Sequence, residues 1–245
     1  MEPSTTNESK DLVEGNFVDL HRLRGLGDDP VYYPPILEDR PRLWPLDKWS
    51  SAPRDLGYDN FATEHWKGLR LLKDPETQSV YHNILWEIKP KTIIELGVYS
   101  GGSLVWFRDL TKAFKFPSRL IGIDIDLSRC QIPEGEMDMI SLHQADCNNP
   151  ESFAFLKDNV EHPILFIDDA HCNTFNVIKY AVNNFLKVGD FVMIEDTMGM
   201  WGRYSPKHLK SHLASFKDVM ALDLLYSNVP CQLKDGVFQV IKSNN

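Results

Sequence analysis

The sequence predicts an α/β domain with a doubly wound, Rossmann-like sheet of seven strands and an irregular N-terminal extension. Short apolar runs alternate with amphipathic helical stretches from residue 75 onward. Acidic residues and glycines follow the ends of several of these runs, which is where ligands bind in open parallel sheets. The length of 245 residues fits one generous domain.

The alternating elements can be followed along the chain. The first predicted helix, 75–88, places Val80, Ile84 and Ile88 on one face. The run 163–167 is continuously apolar, as is typical of a central parallel strand covered on both faces. Further helices are predicted at 103–114, 150–160, 173–186 and 206–219. The other strands are predicted at 92–98, 120–124, 139–145, 190–194, 222–226 and 236–241.

The N-terminal part of the chain has a different composition. Residues 1–14 are polar and lack apolar periodicity, which predicts disorder. Residues 15–74 are dense in Pro, Trp, Tyr and Arg, and the prolines disfavour long regular elements. Because the aromatic side chains need burial, we expect this extension to wrap the domain or to pair with another subunit of a homo-oligomer. The remaining residues, 75–245, form the predicted catalytic domain.

Charge and composition exclude several classes of function. The net charge of −9 repels phosphate backbones, so we expect no nucleic-acid partner. The N-terminus lacks the apolar core of a signal peptide, and no apolar run approaches the ~20 residues that span a bilayer. The four cysteines are widely spaced without a CxxC pair, which disfavours structural zinc. These features predict a cytoplasmic protein with reduced thiols and no membrane partner.

A carboxylate and a glycine loop follow the first predicted strand. Glu95 precedes glycines in the order G-x-x-x-G-G, whereas a dinucleotide site would carry G-x-G-x-x-G. A carboxylate at this position repels a pyrophosphate but suits the amino group and the sulfonium of S-adenosylmethionine. Asp124 ends the second strand, where it can accept ribose hydroxyls, and Asp146 ends the third, near a nucleobase edge. Alternatively, Asp124 and Asp146 cap helices, because Asp is a favoured cap.

More acids follow the fourth and fifth strands. Asp168, Asp169 and His171 end the fourth strand, and Glu195 and Asp196 end the fifth. A cation would relieve the repulsion among these carboxylates, and oxygen ligands favour Mg²⁺, Ca²⁺ or Mn²⁺. Such an ion would hold a substrate oxygen and lower the pKa of its hydroxyl group. The alternative is that some of these acids cap helices or pair with basic side chains, and strand alternation points Asp168 and Asp169 apart.

For three further residues the sequence allows more than one role. His171 fits a general base for a substrate hydroxyl, a packed residue that orients Asp169, or a non-haem iron ligand with His143. Trp201 and Tyr204 lie in the loop after the fifth strand. They fit an apolar substrate wall or a contact with the N-terminal extension.

Five runs across nearly the whole chain closely resemble the cephalosporin hydroxylase family. They read LRGLGDDP at 23–30, APRDLGY at 52–58, ELGVYSGGSL at 95–104, DLSRCQIP at 126–133 and FIDDAH at 166–171. The resemblance implies the class I fold of S-adenosylmethionine-dependent methyltransferases and a relationship to rhamnosyl O-methyltransferases. It also implies a homo-oligomer.

The same resemblance implies a set of site residues. Magnesium ligands are expected at Asp169, Glu195 and Asp196. By the same resemblance, donor contacts are expected at the following residues: Glu95, Gly97, Tyr99, Ser100, Asp124 and Asp146. Apart from the resemblance, the chemistry of the residue types makes His171 and Asp169 the candidate catalytic residues and adds Asp168 to the candidate donor contacts.

The predicted function is S-adenosylmethionine- and Mg²⁺-dependent O-methylation of a hydroxyl or carboxyl group on a small secondary metabolite. Two alternatives stay open. The family name implies a role in hydroxylation or methoxylation at the 7α position of cephalosporins. The second alternative is that the protein is a donor-binding partner subunit, which activates another enzyme and has no turnover of its own.

Overall fold

The computed structural model describes residues 65–170, 172–195, 213–227 and 235–242. A short hairpin of β1 (His65–Trp66) and β2 (Leu69–Arg70) comes first. The helices are α1 (Pro75–Ile88), α2 (Gly102–Ala113), α3 (Thr174–Asn184) and α4 (Leu224–Ser227). The strands of the main sheet are β3 (Thr92–Leu96), β4 (Arg119–Asp124), β5 (Ile140–Gln144), β6 (Ile164–Asp168), β7 (Phe191–Ile194), β8 (Met220–Leu222) and β9 (Gly236–Val240).

The main sheet has the order β5-β4-β3-β6-β7-β9-β8 in the described part of the chain. Strands β3 to β7 pair in parallel, and β9 runs antiparallel to both β7 and β8. The order reverses direction beside β3, and ligands bind at such a switch point beyond the carboxyl ends of the strands. The predicted doubly wound, seven-stranded sheet is therefore confirmed.

Local sequence explains why the main elements form where they do. Every residue of β3 and β6 is buried, because helices cover both faces of a parallel sheet. Helix α1 starts at Pro75, and the Asp74 carboxylate caps it by accepting from the Thr77 N–H at 2.7 Å. Apolar residues on both sides of the sheet form two packed clusters.

Three predicted elements differ from the structure. Residues 150–156 form a 3₁₀ helix rather than an α-helix, and the Ser152 and Asn159 side chains donate to nearby backbone carbonyls there. The predicted strand 222–226 is wrong, because Asp223 accepts from the Leu225 N–H and starts α4 instead. Of the predicted helix 206–219, residues 206–212 lie outside the described residues, and 214–216 form a 3₁₀ turn.

The hairpin β1–β2 packs along α2. The Trp66 indole donates to Asp109 at 2.9 Å, and the Ser100 hydroxyl donates to the Arg70 carbonyl at 3.0 Å. The described end of the extension forms this short hairpin, with strands of two residues each, and it leads Lys73 toward the carboxyl edge of the sheet. Residues 1–64 lie outside the described residues.

None of the described helices is both long enough and apolar enough to cross a bilayer.

Candidate functional site

Three carboxylates from adjacent strands meet around one buried ammonium group. The Lys73 Nζ lies 3.0 Å from Asp169 Oδ2, 2.8 Å from Glu195 Oε1 and 3.7 Å from Glu95 Oε1. The Lys73 side chain is 2% exposed and the Glu95 side chain is fully buried, whereas the Asp169 side chain is 22% exposed. We call Lys73, Glu95, Asp169 and Glu195 the acidic cluster. Only its Asp169 side faces solvent to any extent.

Two further polar residues border the acidic cluster. The Tyr81 hydroxyl, on α1, donates to Glu195 Oε1 at 2.5 Å, and both side chains are buried. Asp235, just before β9, is 4% exposed, and its charge helps to raise the pKa values of Glu195 and Tyr81. These contacts fix the Glu195 carboxylate from the α1 side and add negative charge from the β9 side.

The electrostatics of the cluster follow from burial and from an excess of carboxylates. Burial alone would lower the pKa of Lys73, but Asp169, Glu195 and Glu95 outweigh it and raise that pKa well above its usual value. Burial and the Asp169 carboxylate raise the pKa of Glu195 well above its usual value, although Lys73 opposes the shift. Among the described side chains, one ammonium thus faces three carboxylates, an arrangement that attracts further positive charge.

Glu95 joins this cluster to the glycine loop. Its Oε2 accepts from the Ser103 hydroxyl at 2.7 Å, while its Oε1 accepts no hydrogen bond within the described residues. Burial raises the pKa of Glu95 to about 7. A buried acceptor of this kind suits a cationic N–H donor from a ligand.

Asp124 holds the loop that follows β3. Its Oδ2 accepts from the backbone N–H groups of Val98 at 2.8 Å and Tyr99 at 3.1 Å. Its Oδ1 accepts from the Asp126 N–H at 3.0 Å. Tyr99 has a φ of 47°, so these bonds stabilise a left-handed backbone that non-glycine residues rarely adopt. Asp124 thus shapes the loop in addition to any ligand contact.

The glycines of this loop are required by protein packing. A Cβ on Gly97 would lie 2.6 Å from the Asp169 carbonyl oxygen, and one on Gly102 would lie 1.8 Å from the Arg70 carbonyl oxygen. Both distances are too short for any side chain. The absence of a side chain at these glycines therefore lets the loop approach the residues just after β6 and the hairpin closely.

Asp146 and Asp168 lie apart from the acidic cluster. Asp146 follows β5 and accepts from the Asn148 N–H at 2.8 Å. Asp168, the last residue of β6, is 1% exposed, and its charge acts on the buried thiols of Cys147 and Cys172. Alternation along the strand separates Asp168 from Asp169, as the sequence predicts.

The family model of the rhamnosyl O-methyltransferase/CmcI proteins matches residues 59–202, which include the acidic cluster and the glycine loop. The chain belongs to this family. A rhamnosyl O-methyltransferase from Mycobacterium leprae (strain TN) is 25% identical over 159 residues, covering 62% of this chain and 69% of that protein.

Solved structures of CmcI are more similar still. An apo structure of CmcI shares 54% sequence identity with a TM-score of 0.77, covering 93% of this chain and 97% of that chain. A structure of CmcI with Mg and SAM shares 55% identity with a TM-score of 0.77, covering 92% and 97%. The resemblance to the cephalosporin hydroxylase family is thus confirmed.

The described residues include only part of the metal site that is expected of this member of the rhamnosyl O-methyltransferase/CmcI family. Among the described residues, no group of three or more histidine, cysteine, aspartate or glutamate side chains is arranged to hold a metal ion. Asp169 and Glu195 lie together as predicted, but the expected third ligand, Asp196, lies outside the described residues. His171, Trp201 and Tyr204 also lie outside them.

The described donor set nevertheless fits a hard divalent ion. Asp169 and Glu195 offer carboxylate oxygens, which are the ligands that Mg²⁺ prefers. The excess of carboxylates over ammonium groups among the described side chains of the acidic cluster favours a cation, and the partly exposed Asp169 gives a route from solvent. The fully buried Glu95 Oε1 likewise fits the amino group of the donor.

Sequence reasoning missed Lys73, Tyr81 and Asp235. Lys73 stands in an ordinary lysine-aspartate-proline stretch before a helix, and nothing in that pattern marks the lysine as buried. Tyr81 follows Val80 on the apolar side of α1, which could have identified it as buried but not as a partner of Glu195. Asp235 directly precedes β9, and because β9 runs antiparallel to β7, this amino end lies at the carboxyl edge of the parallel strands.

A separate groove lies between α1 and α4. It has a volume of about 720 Å³, and its lining includes Glu76, Trp86 and Leu225. None of its lining residues belongs to the acidic cluster. The groove is therefore not the site at the carboxyl edge of the sheet.

Proposed function

We propose that this protein is an S-adenosylmethionine- and Mg²⁺-dependent O-methyltransferase that acts on a hydroxyl or carboxyl group of a small secondary metabolite. The observation that carries the proposal is the convergence of Glu95, Asp169 and Glu195 from adjacent strands. Membership of the rhamnosyl O-methyltransferase/CmcI family supports it, as does the CmcI structure with Mg and SAM.

We assign the donor to the loop after β3. The Glu95 carboxylate would accept a hydrogen bond from the donor's amino group through Oε1, which accepts none within the described residues. Asp124 would hold the backbone of Val98 and Tyr99 in the shape that receives the donor, and reach its ribose. Gly97, Ser100, Asp146 and Asp168 complete the proposed donor contacts.

We assign the metal to Asp169, Glu195 and Asp196. When bound, Mg²⁺ would act as a Lewis acid that lowers the pKa of an acceptor hydroxyl. Asp169 is the described ligand that faces solvent, so it would hold the ion where an acceptor can enter. The Tyr81 hydroxyl and the Lys73 ammonium keep the Glu195 carboxylate in one orientation.

The chain must also position the acceptor and take its proton. Methyl transfer breaks a sulfur–carbon bond, forms an oxygen–carbon bond and releases the hydroxyl proton. We propose His171 as the group that takes this proton, with Asp169 as its catalytic partner, and Trp201 and Tyr204 as the acceptor wall. Holding both reactants in line can supply roughly 7–11 kcal/mol of barrier reduction in ideal cases.

We further propose a homo-oligomer, formed in part through the aromatic-rich extension 15–74. Light scattering on the full chain tests this. A monomer at micromolar concentration would contradict it.

The deciding experiment combines binding with turnover. We expect S-adenosylmethionine to bind saturably in a calorimetric titration, and a panel of hydroxyl and carboxyl acceptors to include one that is methylated only with Mg²⁺. Glu195→Ala and Asp196→Ala should abolish metal-dependent turnover. Glu161→Ala is the matched control, because that carboxylate is 80% exposed and far from the cluster. Full activity of both ligand variants in chelator would overturn the metal role.

The same experiment separates the alternative functions. Product formation that requires Fe²⁺ and 2-oxoglutarate, with no use of the methyl donor, would favour a β-lactam hydroxylase. Tight donor binding without turnover until a second protein is added would favour a partner subunit. Absence of donor binding would remove the methyltransferase proposal itself.

A further inference from the structure

We propose that Lys73 is a built-in counter-ion of the metal site, which preforms the acidic cluster and weakens its affinity for a divalent cation. The metal half of this inference rests on the proposed function. The structural half, that Lys73 allows two buried carboxylates and the partly exposed Asp169 to coexist, stands on the contacts alone.

The contacts of Lys73 are those of a cation shared among ligands. Its Nζ lies within 3.0 Å of both Asp169 and Glu195, the two described carboxylates assigned to the metal. It also lies 3.7 Å from Glu95, which is assigned to the donor. No other described lysine or arginine forms an ion pair with these carboxylates. Lys73 therefore links the donor end of the site to the metal end.

The backbone holds this ammonium in place. The Lys73 carbonyl accepts from the Gln78 side chain at 2.8 Å, and the next residue, Asp74, caps α1. On the other side, the Arg70 carbonyl is held by Ser100 and packs against the start of α2. These contacts fix the backbone of Lys73, and its side chain is only 2% exposed, so the ammonium cannot leave the carboxylates without disturbing the packing around it.

Two consequences follow from a fixed ammonium among three carboxylates. Without it, the carboxylates of Glu95, Asp169 and Glu195 would lose the ammonium that they share while the repulsion among them and Asp235 remains, which is costly at a largely buried site. With it, a divalent cation on Asp169 and Glu195 must bind beside a positive charge. Removing the charge should therefore lower stability in the absence of metal and raise the affinity for metal.

The test uses Lys73→Met, which keeps the length of the side chain but removes its charge, and Lys73→Arg, which keeps the charge. Lys67→Met is the matched control, because Lys67 belongs to the same hairpin and pairs with Asp109 and Glu136 outside the cluster. Thermal unfolding is measured in chelator and in MgCl₂. Binding of MgCl₂ alone to the full chain is measured by calorimetry.

We expect Lys73→Met to unfold roughly 10 °C below wild type in chelator, in line with the loss of one partner from a buried ion pair. We expect MgCl₂ to recover most of this loss and to bind about tenfold more tightly than to wild type. Lys73→Arg and Lys67→Met should bind Mg²⁺ as wild type does. Unchanged or weaker Mg²⁺ binding by Lys73→Met would refute the inference that Lys73 and the metal share the same carboxylates. Unchanged stability of Lys73→Met in chelator would refute the inference that Lys73 stabilises the acidic cluster as its counter-ion.

A second variant keeps the inference falsifiable if Lys73→Met does not fold. Lys73→Met with Glu95→Gln removes one charge of each sign and keeps the net charge of the acidic cluster. It should fold and be more stable than Lys73→Met alone, whereas a double variant that is no better would refute charge compensation. If wild type binds donor but no Mg²⁺, the proposed metal dependence fails, while the stability comparison in chelator still decides the role of Lys73.

Discussion

Replacing Asp124 with alanine tests the link between loop shape and donor binding. The side chain of Asp124 accepts three backbone hydrogen bonds, two of them from Val98 and Tyr99 in the loop after β3. Alanine removes all three acceptors. The Val98 side of the loop is buried, so water cannot fully replace the lost bonds.

The expected magnitude comes from those contacts. A hydrogen bond to a charged group contributes about 1.5–3 kcal/mol. The two loop bonds share Oδ2 and the site is partly buried, so we expect a combined loss of about 2–4 kcal/mol rather than the sum of two full bonds. If the donor must order the loop as it binds, even 2 kcal/mol weakens its affinity by roughly 30-fold.

The assay is a calorimetric titration of S-adenosylmethionine, paired with urea unfolding. Asp124→Asn should lie between wild type and Asp124→Ala, because the amide oxygen still accepts but carries no charge. Asp126→Ala is the matched control, since that exposed carboxylate caps the neighbouring 3₁₀ turn through the Ser128 N–H. Donor affinity of Asp124→Ala within threefold of wild type would refute the reasoning.

Three other perturbations have equally specific outcomes. Because burial raises the pKa of Glu95 to about 7, donor affinity should rise as the pH increases from about 6 to about 8 and then level off, as ionised Glu95 favours a cationic amino group. Calorimetry of Glu95→Gln should show no such rise, and a persistent rise would assign it to another group. Tyr81→Phe removes the donor to Glu195 Oε1 and should cost about 1–3 kcal/mol of unfolding free energy in chelator, as measured with urea; no loss would contradict that bond. Gly102→Ala places a Cβ 1.8 Å from a backbone oxygen and should cost about 3 kcal/mol or abolish soluble expression, whereas Gly135→Ala, with nothing within 4 Å, should be neutral.

The sequence determined the fold class and the edge of the sheet that carries the acids. Alternating periodicity distinguishes strands from helices locally, and parallel strands present their carboxyl ends at one edge. The predicted helix 75–88 matches α1, and Asp169 and Glu195 meet as expected. The strand predicted at 222–226 failed because Asp223 caps a helical turn, and a single side chain decided the outcome over so short a run.

The tertiary structure alone decided what balances the acids. Lys73 is separated by 96 residues from Asp169 and by 122 from Glu195 along the chain, and no local pattern relates residues so far apart. The partnership depends on the packing of the hairpin against α2, which in turn depends on a glycine at position 102. From charge alone, the sequence predicts that a cation binds the carboxylates. In the structure, the chain path from the hairpin also brings the Lys73 ammonium to them.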